Sequence, residues 1–472
     1  MIFTLLSFKV TKKPNEIMEL QKFLAQSVSQ LSKGSMEIEV LEALPGNGKS
    51  HSTLRYIEAA AIADSEVRWI YCTEYLSEIE SRTAENPAAA GLWHTPSEGE
   101  KTSKFLELLK EPKVQLIAIT HALLLSVSRN YEVNRWLKDR GFNLFMDECM
   151  ELIKPYDGCT DGNFRVAAIE GWFTTKDPYG KVCWTNDDVA SITDTAFNRL
   201  ANDAKRGVVF CATGEIDFSK WISVVQIEDE VLFTQFKRVV VATYQIEHTI
   251  FDAYLTMKGI SRVPCTDIVC GRSVTKASIK NLLTIYRKHD KKFDKKNLSS
   301  TWWSKEATAE DVKLVNNAIR NIGDLNGCKG NAHLLGFTVP GNRIGAARNA
   351  KTVYPKGYPH TVCYVETDED GKTTSTGVVD KATSTYVPCN ARASNAYANK
   401  TVMVHVYNRY PMKKVSDFLN MHKIAYSSDV FALNEMAQWC WRSAIRNGEK
   451  ITVTVLSKRM RGLLEKWLDT DK

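Results

Sequence analysis

The stretch Ala43-Leu-Pro-Gly-Asn-Gly-Lys-Ser50 constrains the fold more than any other feature of this 472-residue chain. It has the spacing of a loop that holds the phosphates of a nucleotide, with Ala at the first position where the pattern prefers Gly. Such a loop must lie between a strand and a helix, because its backbone N–H groups and the helix N-terminus converge on the phosphates. Residues 36–43 have the composition of a strand, and residues 50–63 are rich in helix formers. The stretch therefore predicts a nucleotide site, called here the phosphate loop (residues 43–50).

The side chains of the phosphate loop have separate predicted roles. Lys49 is expected to reach the β- and γ-phosphates, and Ser50 is expected to ligate Mg²⁺. The predicted nucleotide-binding residues are Ala43, Pro45, Gly46, Asn47, Gly48, Lys49 and Ser50. The alternative is an ordinary glycine-rich turn before a helix, and the flanking elements argue against it.

Residues 142–151 supply a second feature, an apolar run followed by two acids. A nucleotide hydrolase needs one carboxylate that holds Mg²⁺ and another that polarises the attacking water. Asp147 is predicted to be the metal ligand and Glu148 the base. The alternative is a strand that ends in two solvated acids.

Three further apolar runs, residues 67–82, 114–126 and 206–215, predict additional strands. The first two each reach a Thr and continue into a helix-like stretch, and the third is followed by the turn Ala212-Thr213-Gly214. Repeated units of strand, turn and helix predict an α/β fold with mostly parallel sheets covered by helices. Ligands of such folds bind at the carboxyl ends of the strands, where all of these motifs lie.

This order of motifs resembles the superfamily-2 (DEAD/DEAH-like) helicases and translocases. The resemblance covers residues 36–222 and 386–468. It implies two RecA-like P-loop domains, residues 1–222 and residues 223–472, with an inserted β-hairpin region around 290–385 and with ATP and Mg²⁺ between the domains.

The resemblance also implies which side chains touch nucleic acid. Thr213 is expected to couple hydrolysis to strand contact, and the polar turn near residue 390 is expected to touch both phosphate and nucleic acid. The residues expected to contact nucleic acid are Thr73, Thr120, His121, Thr213, Asn390, Arg392 and Ser394. The sequence after Asp147-Glu148 is Cys149-Met150, so the motif is neither DEAD nor DEAH.

Residues 435–468 resemble the last helicase motif, which supplies an arginine finger. Gln438, Arg442 and Arg446 are spaced i, i+4 and i+8, so they are predicted to share one face of a helix that ends at Gly448. The resemblance implies that these three side chains point at the γ-phosphate across the domain cleft, and it leaves open which arginine is the finger. The alternative is an amphipathic helix whose basic residues face water.

The middle of the chain is less informative. Residues 266–288 are predicted to form a strand, a turn and a helix that open the second domain. The basic run 286–296 fits either phosphate contacts or a solvated loop. Trp302 and Trp303 fit either base stacking or core packing. Residues 360–379 predict a β-hairpin, either a strand-splitting wedge or a surface ornament.

Composition and charge narrow the class of protein. The net charge is +7, which permits a nucleic-acid partner without requiring one. The 11 cysteines are scattered without metal-ligand or disulfide spacing, which is typical of reduced thiols in the cytoplasm. No run of 18 apolar residues exists, so no membrane span is predicted, and the N-terminal residues 1–16 are interpreted as a strand and not a signal peptide.

These features predict an ATP-hydrolysing helicase or translocase, monomeric and cytoplasmic, or in the host cytoplasm if phage-encoded. Its expected substrate is single-stranded or forked DNA, with RNA as the alternative, in phage or mobile-element replication, recombination or repair. Residues 386–410, 438–448 and 457–468 resemble segments typical of helicases of tailed bacteriophages. Two rivals are a packaging-terminase ATPase, which would need clustered carboxylates on C-terminal strands, and a protein that anneals or remodels nucleic acid and uses ATP as a switch.

Overall fold

A computed structural model of the chain describes residues 36–74, 91–96, 100–186, 195–211, 223–325, 334–337, 363–367, 373–378 and 397–470. Its strands are β1 (Glu37–Glu42), β2 (Trp69–Thr73), β3 (Trp93–His94), β4 (Leu116–Thr120), β5 (Asn143–Asp147), β6 (Ile153–Pro155), β7 (Phe173–Lys176), β8 (Lys181–Trp184), β9 (Val209–Cys211), β10 (Val224–Ile227), β11 (Val239–Thr243), β12 (Ser261–Pro264), β13 (Leu283–Ile285), β14 (Leu334–Phe337), β15 (Cys363–Thr367), β16 (Thr373–Val378), β17 (Val402–His405) and β18 (Ile451–Val455). Its α-helices are α1 (Lys49–Ala63), α2 (Lys101–Lys110), α3 (His121–Val127), α4 (Tyr131–Asp139), α5 (Asp161–Ile169), α6 (Thr195–Lys205), α7 (Val231–Thr234), α8 (Ile250–Lys258), α9 (Lys276–Leu282), α10 (Asp290–Phe293), α11 (Ser300–Lys305), α12 (Ala309–Leu325), α13 (Lys413–Met421), α14 (Ser428–Cys440) and α15 (Lys458–Asp469). Among these described helices, none combines the length and the apolar character that a bilayer crossing requires.

Seven parallel strands form the sheet of the N-terminal lobe (residues 36–275), in the order β12-β1-β11-β5-β2-β4-β3. Because all seven run in the same direction, their carboxyl ends lie along one edge of the sheet. The predicted strands that end at Thr73, Thr120 and Asp147 are β2, β4 and β5, and all three belong to this sheet. The prediction of an α/β fold with parallel sheets is confirmed.

The central strands are apolar throughout because the sheet is covered on both faces. Every residue of β2 is buried: Ile70 and Cys72 pack into one hydrophobic core, while Trp69 and Tyr71 pack into a second core on the other face. Parallel strands covered by helices on both sides are expected to show such continuous apolar runs.

A second, antiparallel sheet interrupts the first one along the chain. The antiparallel module (residues 152–227) holds strands in the order β6-β10-β9-β8-β7 and has its own core, which includes Phe164, Leu200 and Val209. Its strand β9 comes from the run 206–215, so the prediction that this run joins the parallel sheet is wrong. An apolar run shows that a strand is buried but not which strands lie beside it, and β9 pairs with β8 and β10.

The C-terminal lobe (residues 276–470) is built on four parallel strands in the order β13-β18-β17-β14. Trp302 and Trp303 are 7% and 0% exposed in its core, which confirms the core interpretation and excludes base stacking for both in this conformation. The hairpin predicted for residues 360–379 is present as the antiparallel pair β15–β16, and its turn lies outside the described residues.

The basic run 286–296 is partly neutralised by acids of its own lobe. Arg287 forms an ion pair with Glu465, and Lys296 forms one with Asp311. Because these two cations are already paired, the contacts favour the solvated-loop alternative over phosphate contacts.

The boundary between the sheets differs from the predicted division at residues 222 and 223. Strands β11 and β12 belong to the seven-stranded sheet of the N-terminal lobe, and the four-stranded sheet of the C-terminal lobe begins with β13. No strand forms over residues 266–274; this part of the chain belongs to the connecting segment (residues 265–275), which leads from β12 to α9.

Helix α13 joins the two lobes although it follows β17 of the C-terminal lobe. Its Val415, Phe418 and Leu419 are buried in the core that covers one face of the seven-stranded sheet. Lys414 forms an ion pair of 2.6 Å with Asp161 of the antiparallel module. The lobes therefore share hydrophobic core in addition to the covalent connection.

Candidate functional site

The phosphate loop has the predicted setting, between strand β1 and helix α1. Gly46 and Gly48 have φ of 87° and 76°, left-handed values that favour glycine. Gly48 is the N-cap of α1, so Lys49 and Ser50 open the helix, and Pro45 is buried beneath the loop. The geometry directs the helix N-terminus toward the carboxyl edge of the sheet, where an anion is favoured.

Lys49 lies folded over the loop that precedes it. Its Nζ donates to the carbonyl oxygens of Ala43 at 2.7 Å and Leu44 at 3.3 Å. Burial lowers the pKa of Lys49, and the negative charges of Asp147 and Glu148 act in the opposite direction. The ammonium and the two acids predicted to be catalytic therefore interact electrostatically.

Asp147 ends the buried strand β5 and is itself only 7% exposed. The hydroxyl of Tyr71 donates to its Oδ2 at 2.5 Å from the neighbouring strand β2. The Tyr71 ring stacks on Phe145, with ring centroids 5.5 Å apart, which fixes the direction of the hydroxyl. Tyr71 thus orients the carboxylate, and sequence reasoning missed it because the two residues meet only through strand pairing.

Glu148 has a left-handed backbone, with φ of 76°. Its N–H donates to the carbonyl oxygen of Ala242 on β11 at 3.0 Å, so the turn after β5 is held against the adjacent strand. A left-handed non-glycine residue costs about 1–3 kcal/mol and persists only where its surroundings impose it. Such strain is common at functional sites, and here it falls on the predicted base.

Strand β11 lies between β1 and β5 and ends in Thr243. The backbone N–H of Ala43 donates to the carbonyl oxygen of Thr243 at 3.1 Å, so this threonine borders the phosphate loop directly. Thr213, which the resemblance assigns to coupling between hydrolysis and strand contact, lies outside the described residues. The run VVVAT (239–243) carries the same signal as VVFCAT (208–213), because both are apolar and end in Ala-Thr.

Thr73 and Thr120 are cross-strand partners at the carboxyl ends of β2 and β4. Thr73 is 1% exposed, whereas Thr120 is the N-cap of α3 and accepts from the backbone N–H of Leu123 at 3.2 Å. His121 follows as the first residue of α3. All three predicted nucleic-acid residues thus lie along the same edge as the phosphate loop, and the burial of Thr73 limits direct contact in this conformation.

Gln438, Arg442 and Arg446 do not share one helix face. Helix α14 ends at Cys440, Arg442 lies in the following turn, and Arg446 lies in a 3₁₀ helix over Ala444–Asn447. The cause is Ser443, a fully buried residue whose hydroxyl donates to the carbonyl oxygen of Cys440 at 2.7 Å. This bond satisfies a terminal carbonyl and competes with helix continuation.

The turn after α14 touches the phosphate loop. A Cβ placed on Gly46 would lie 2.2 Å from Nε1 of Trp441, so the edge of this indole packs against the glycine backbone. Trp441 stands directly before Arg442, and its contact brings the end of α14 to the loop from the opposite lobe.

The connecting segment makes a second contact that the sequence did not predict. Asn47 Oδ1 accepts from the N–H of Val274 at 2.5 Å, and the Asn47 carbonyl accepts from the N–H of Arg272 at 3.3 Å. The N–H of Gly271 donates to Oγ of Ser52 at 2.9 Å. The chain that leads into the C-terminal lobe is therefore bonded to the loop and to α1.

The predicted nucleic-acid residues Asn390, Arg392 and Ser394 lie outside the described residues, as Thr213 does. The remaining predicted site residues fall into two groups. One surrounds the phosphate loop at the carboxyl edge of the N-terminal sheet, and the other lies at the end of α14 in the opposite lobe.

Comparison with known proteins gives two similarities. Residues 277–468 match a family model described as the YonV C-terminal Rossmann-like domain, a range that starts one residue into α9 and covers the C-terminal lobe. Over 445 residues the chain is 25% identical to the SPbeta prophage-derived uncharacterized protein YonV of Bacillus subtilis (strain 168), covering 92% of this chain and 99% of that protein. The chain thus has an α/β fold with a Rossmann-like domain and is similar, along nearly all of its length, to a prophage-derived protein.

Proposed function

We propose that this protein is an ATP-dependent helicase or translocase that hydrolyses ATP with Mg²⁺ and acts on nucleic acid, with DNA as the expected substrate. One observation carries the proposal: Lys49 opens the helix that follows β1, and Asp147 ends β5 with Glu148 directly after it, so all three lie at the carboxyl edge of the same parallel sheet. The opposite lobe reaches the same loop through Trp441. A hydrolase that couples catalysis to motion between two lobes needs a nucleotide site that both lobes contact.

The phosphate loop fits a nucleotide. At Gly48 the left-handed backbone carries no side chain and has open space around it, so phosphate oxygens could approach there, and α1 contributes the positive end of its dipole. Lys49 would exchange the carbonyls of Ala43 and Leu44 for phosphate oxygens, because a phosphate oxygen carries a negative charge that a carbonyl oxygen lacks and so attracts the ammonium more strongly.

The acids fit the predicted metal and base roles. Mg²⁺, when bound, would neutralise charge on the phosphates. Ser50 and Asp147 offer the hard oxygen ligands that this ion prefers, and Tyr71 holds the Asp147 carboxylate in one orientation. Glu148, on the adjacent strained turn, would orient the attacking water and accept its proton.

Nucleic acid would cross the carboxyl edge at Thr120 and His121 and continue over the C-terminal lobe. Motion of one lobe relative to the other would then move the strand. Similarity to a prophage-derived protein supports a role in phage or mobile-element replication, recombination or repair.

A second candidate is a protein that anneals or remodels nucleic acid and uses ATP as a switch. It is favoured by α13, whose buried Phe418 and Leu419 tie the C-terminal lobe into the N-terminal core. A shared core limits how far the lobes can separate in each cycle.

The packaging-terminase alternative gains no support from the described residues. Across them, the group with metal-ligand spacing is Glu39, Cys265 and Asp267. Arg238 donates to Glu39 at 2.5 Å and to Asp267 at 2.7 Å, so an arginine already satisfies these carboxylates, and the group is not on the C-terminal strands. This cluster is a structural ion-pair network.

The test is steady-state ATP hydrolysis with and without single-stranded DNA. Lys49→Ala is expected to abolish hydrolysis while circular dichroism and the melting temperature remain near those of the wild type, because its ammonium serves the loop and not the core. The control is Lys113→Ala, an exposed lysine remote from the loop in sequence, which should hydrolyse normally.

Retained hydrolysis in a folded Lys49→Ala protein would refute the nucleotide site. Displacement of one strand from a forked duplex then separates the two candidates: the helicase displaces it with multiple turnovers of ATP, and the switch does not.

A further inference from the structure

We infer that Trp441 contacts the bound nucleotide, its indole N–H donating to a phosphate oxygen at the phosphate loop. The inference rests on the proposed ATP site and adds to it a residue that none of the sequence motifs assigned. The C-terminal lobe would then contribute a neutral aromatic donor to the ATP site in addition to an arginine.

The position of Trp441 is fixed by the end of helix α14. Its backbone N–H donates to the carbonyl oxygen of Ala437 at 3.1 Å, and Ser443 immediately beyond it is fully buried. The indole is 9% exposed, and its Nε1, Cε2 and Cζ2 atoms lie 2.2–2.4 Å from where a Cβ on Gly46 would be. The nitrogen edge of the ring, the only polar part of the side chain, therefore faces the loop.

The indole nitrogen can only donate a hydrogen bond. Within the part of the chain that the structure describes, Nε1 of Trp441 is buried and has no acceptor. Leaving such a donor unsatisfied costs about 1–3 kcal/mol. Trp69, Trp303 and Trp439 also have a buried Nε1 without an acceptor, and Trp441 shares the core of the C-terminal lobe with Trp303. Trp441 differs because it lies against a loop whose geometry suits anions.

A phosphate oxygen is the acceptor that this surface would bring to Trp441. Lys49 and the N-terminus of α1 already supply positive charge there, so a neutral donor adds direction without more charge repulsion. The indole ring would also cover the loop and exclude water from the reacting phosphate, which strengthens the other polar contacts. Because Trp441 belongs to the C-terminal lobe, the contact links nucleotide binding to the closed arrangement of the lobes.

The experiment measures binding of the non-hydrolysable analogue AMPPNP, with Mg²⁺, by isothermal titration calorimetry. Trp441→Phe keeps an aromatic ring and removes the N–H, so its Kd is expected to rise about tenfold, the loss of roughly one hydrogen bond. Trp303→Phe is the matched control, with the same chemical change in a core position, and it should bind like the wild type. Trp441→His, which keeps a ring N–H, should recover part of the affinity and also serves if the Phe variant is unstable.

Two results are distinguishable. If the wild type fails to bind AMPPNP, the proposed function is wrong, and the role of Trp441 falls with it. If the wild type binds and folded Trp441→Phe binds within twofold of it, the nucleotide site stands and the Trp441 contact is refuted.

Discussion

Replacing Phe418 by Ala tests whether helix α13 joins the two lobes into one cooperative unit. Phe418 is 0% exposed and lies in the core on one face of the seven-stranded sheet, although it belongs to a segment between β17 and α14 of the C-terminal lobe. Truncating a fully buried Phe to Ala costs about 3–5 kcal/mol, because the burial of the ring is lost and a cavity is left in its place. That loss is a large share of the roughly 5–15 kcal/mol by which a folded domain is stable.

The assay measures hydrogen exchange at increasing urea concentrations, with peptides from the two lobes analysed separately. Wild-type protein is expected to lose protection in both lobes at one urea concentration, because α13 makes each lobe depend on the other. In Phe418→Ala, peptides of the N-terminal lobe should unfold at a lower concentration. Met421→Ala is the control on the same helix: Met421 is 48% exposed, and its loss should change stability by less than about 0.5 kcal/mol.

Either of two outcomes would contradict this reasoning. One is a wild-type protein whose lobes unfold at clearly different urea concentrations. The other is a Phe418→Ala variant less stable by under about 1 kcal/mol, far below the cost of emptying a packed site. Lobes that unfold separately in the wild type would also indicate that they can move freely relative to each other. That result would favour the helicase over the ATP-dependent switch.

Three further predictions concern chemistry and pH. Glu148→Gln should bind ATP but turn over about a hundredfold or more slowly in a steady-state assay, while the exposed neighbour Glu151→Gln should keep the wild-type rate; equal rates would remove Glu148 as the base. One of Arg442→Ala and Arg446→Ala should lose DNA-stimulated turnover by about a thousandfold with little change in nucleotide affinity, and full stimulation in both would mean that neither is an arginine finger. Burial, with the charge of Arg409 adding to it, lowers the pKa of His405 from 6.5 to about 3. The unfolded chain therefore binds this proton first, and the stabilisation present above pH 6.5 is lost as pH falls toward 3, about 2 kcal/mol of it by pH 5. His405→Phe should remove that part of the difference between unfolding free energies at pH 7 and pH 5, and an unchanged pH dependence would refute it.

Local chemistry made part of the site predictable. The phosphate loop could be recognised because its glycines must adopt left-handed backbone, and Gly46 and Gly48 do so. Asp147 could be placed because a run of buried apolar residues leads to it, and a parallel strand ends where ligands bind.

Contacts between distant parts of the chain were not predictable in the same way. The bond between Asn47 and Val274 joins residues 227 positions apart, and nothing near either one signals the other. The runs VVFCAT (208–213) and VVVAT (239–243) are both apolar and end in Ala-Thr, so only the strands beside β9 and β11 distinguish the antiparallel module from the sheet beside the phosphate loop. The helix expected to continue to Arg446 ends early because one buried serine, Ser443, bonds to its last turn.

The antiparallel module has a consequence for how the chain reaches this structure. Strands β5 and β11 are parallel neighbours, yet residues 148–238 separate them, so their pairing closes a long loop at an entropic cost of about 4 kcal/mol. Because the module has its own core, we expect it to form first and to bring the two strands close. It is also the crossover that parallel neighbours require, and a short turn cannot replace it. A shortened chain would therefore need a new crossover of a dozen residues or more before Asp147 and Thr243 could again lie at the same edge.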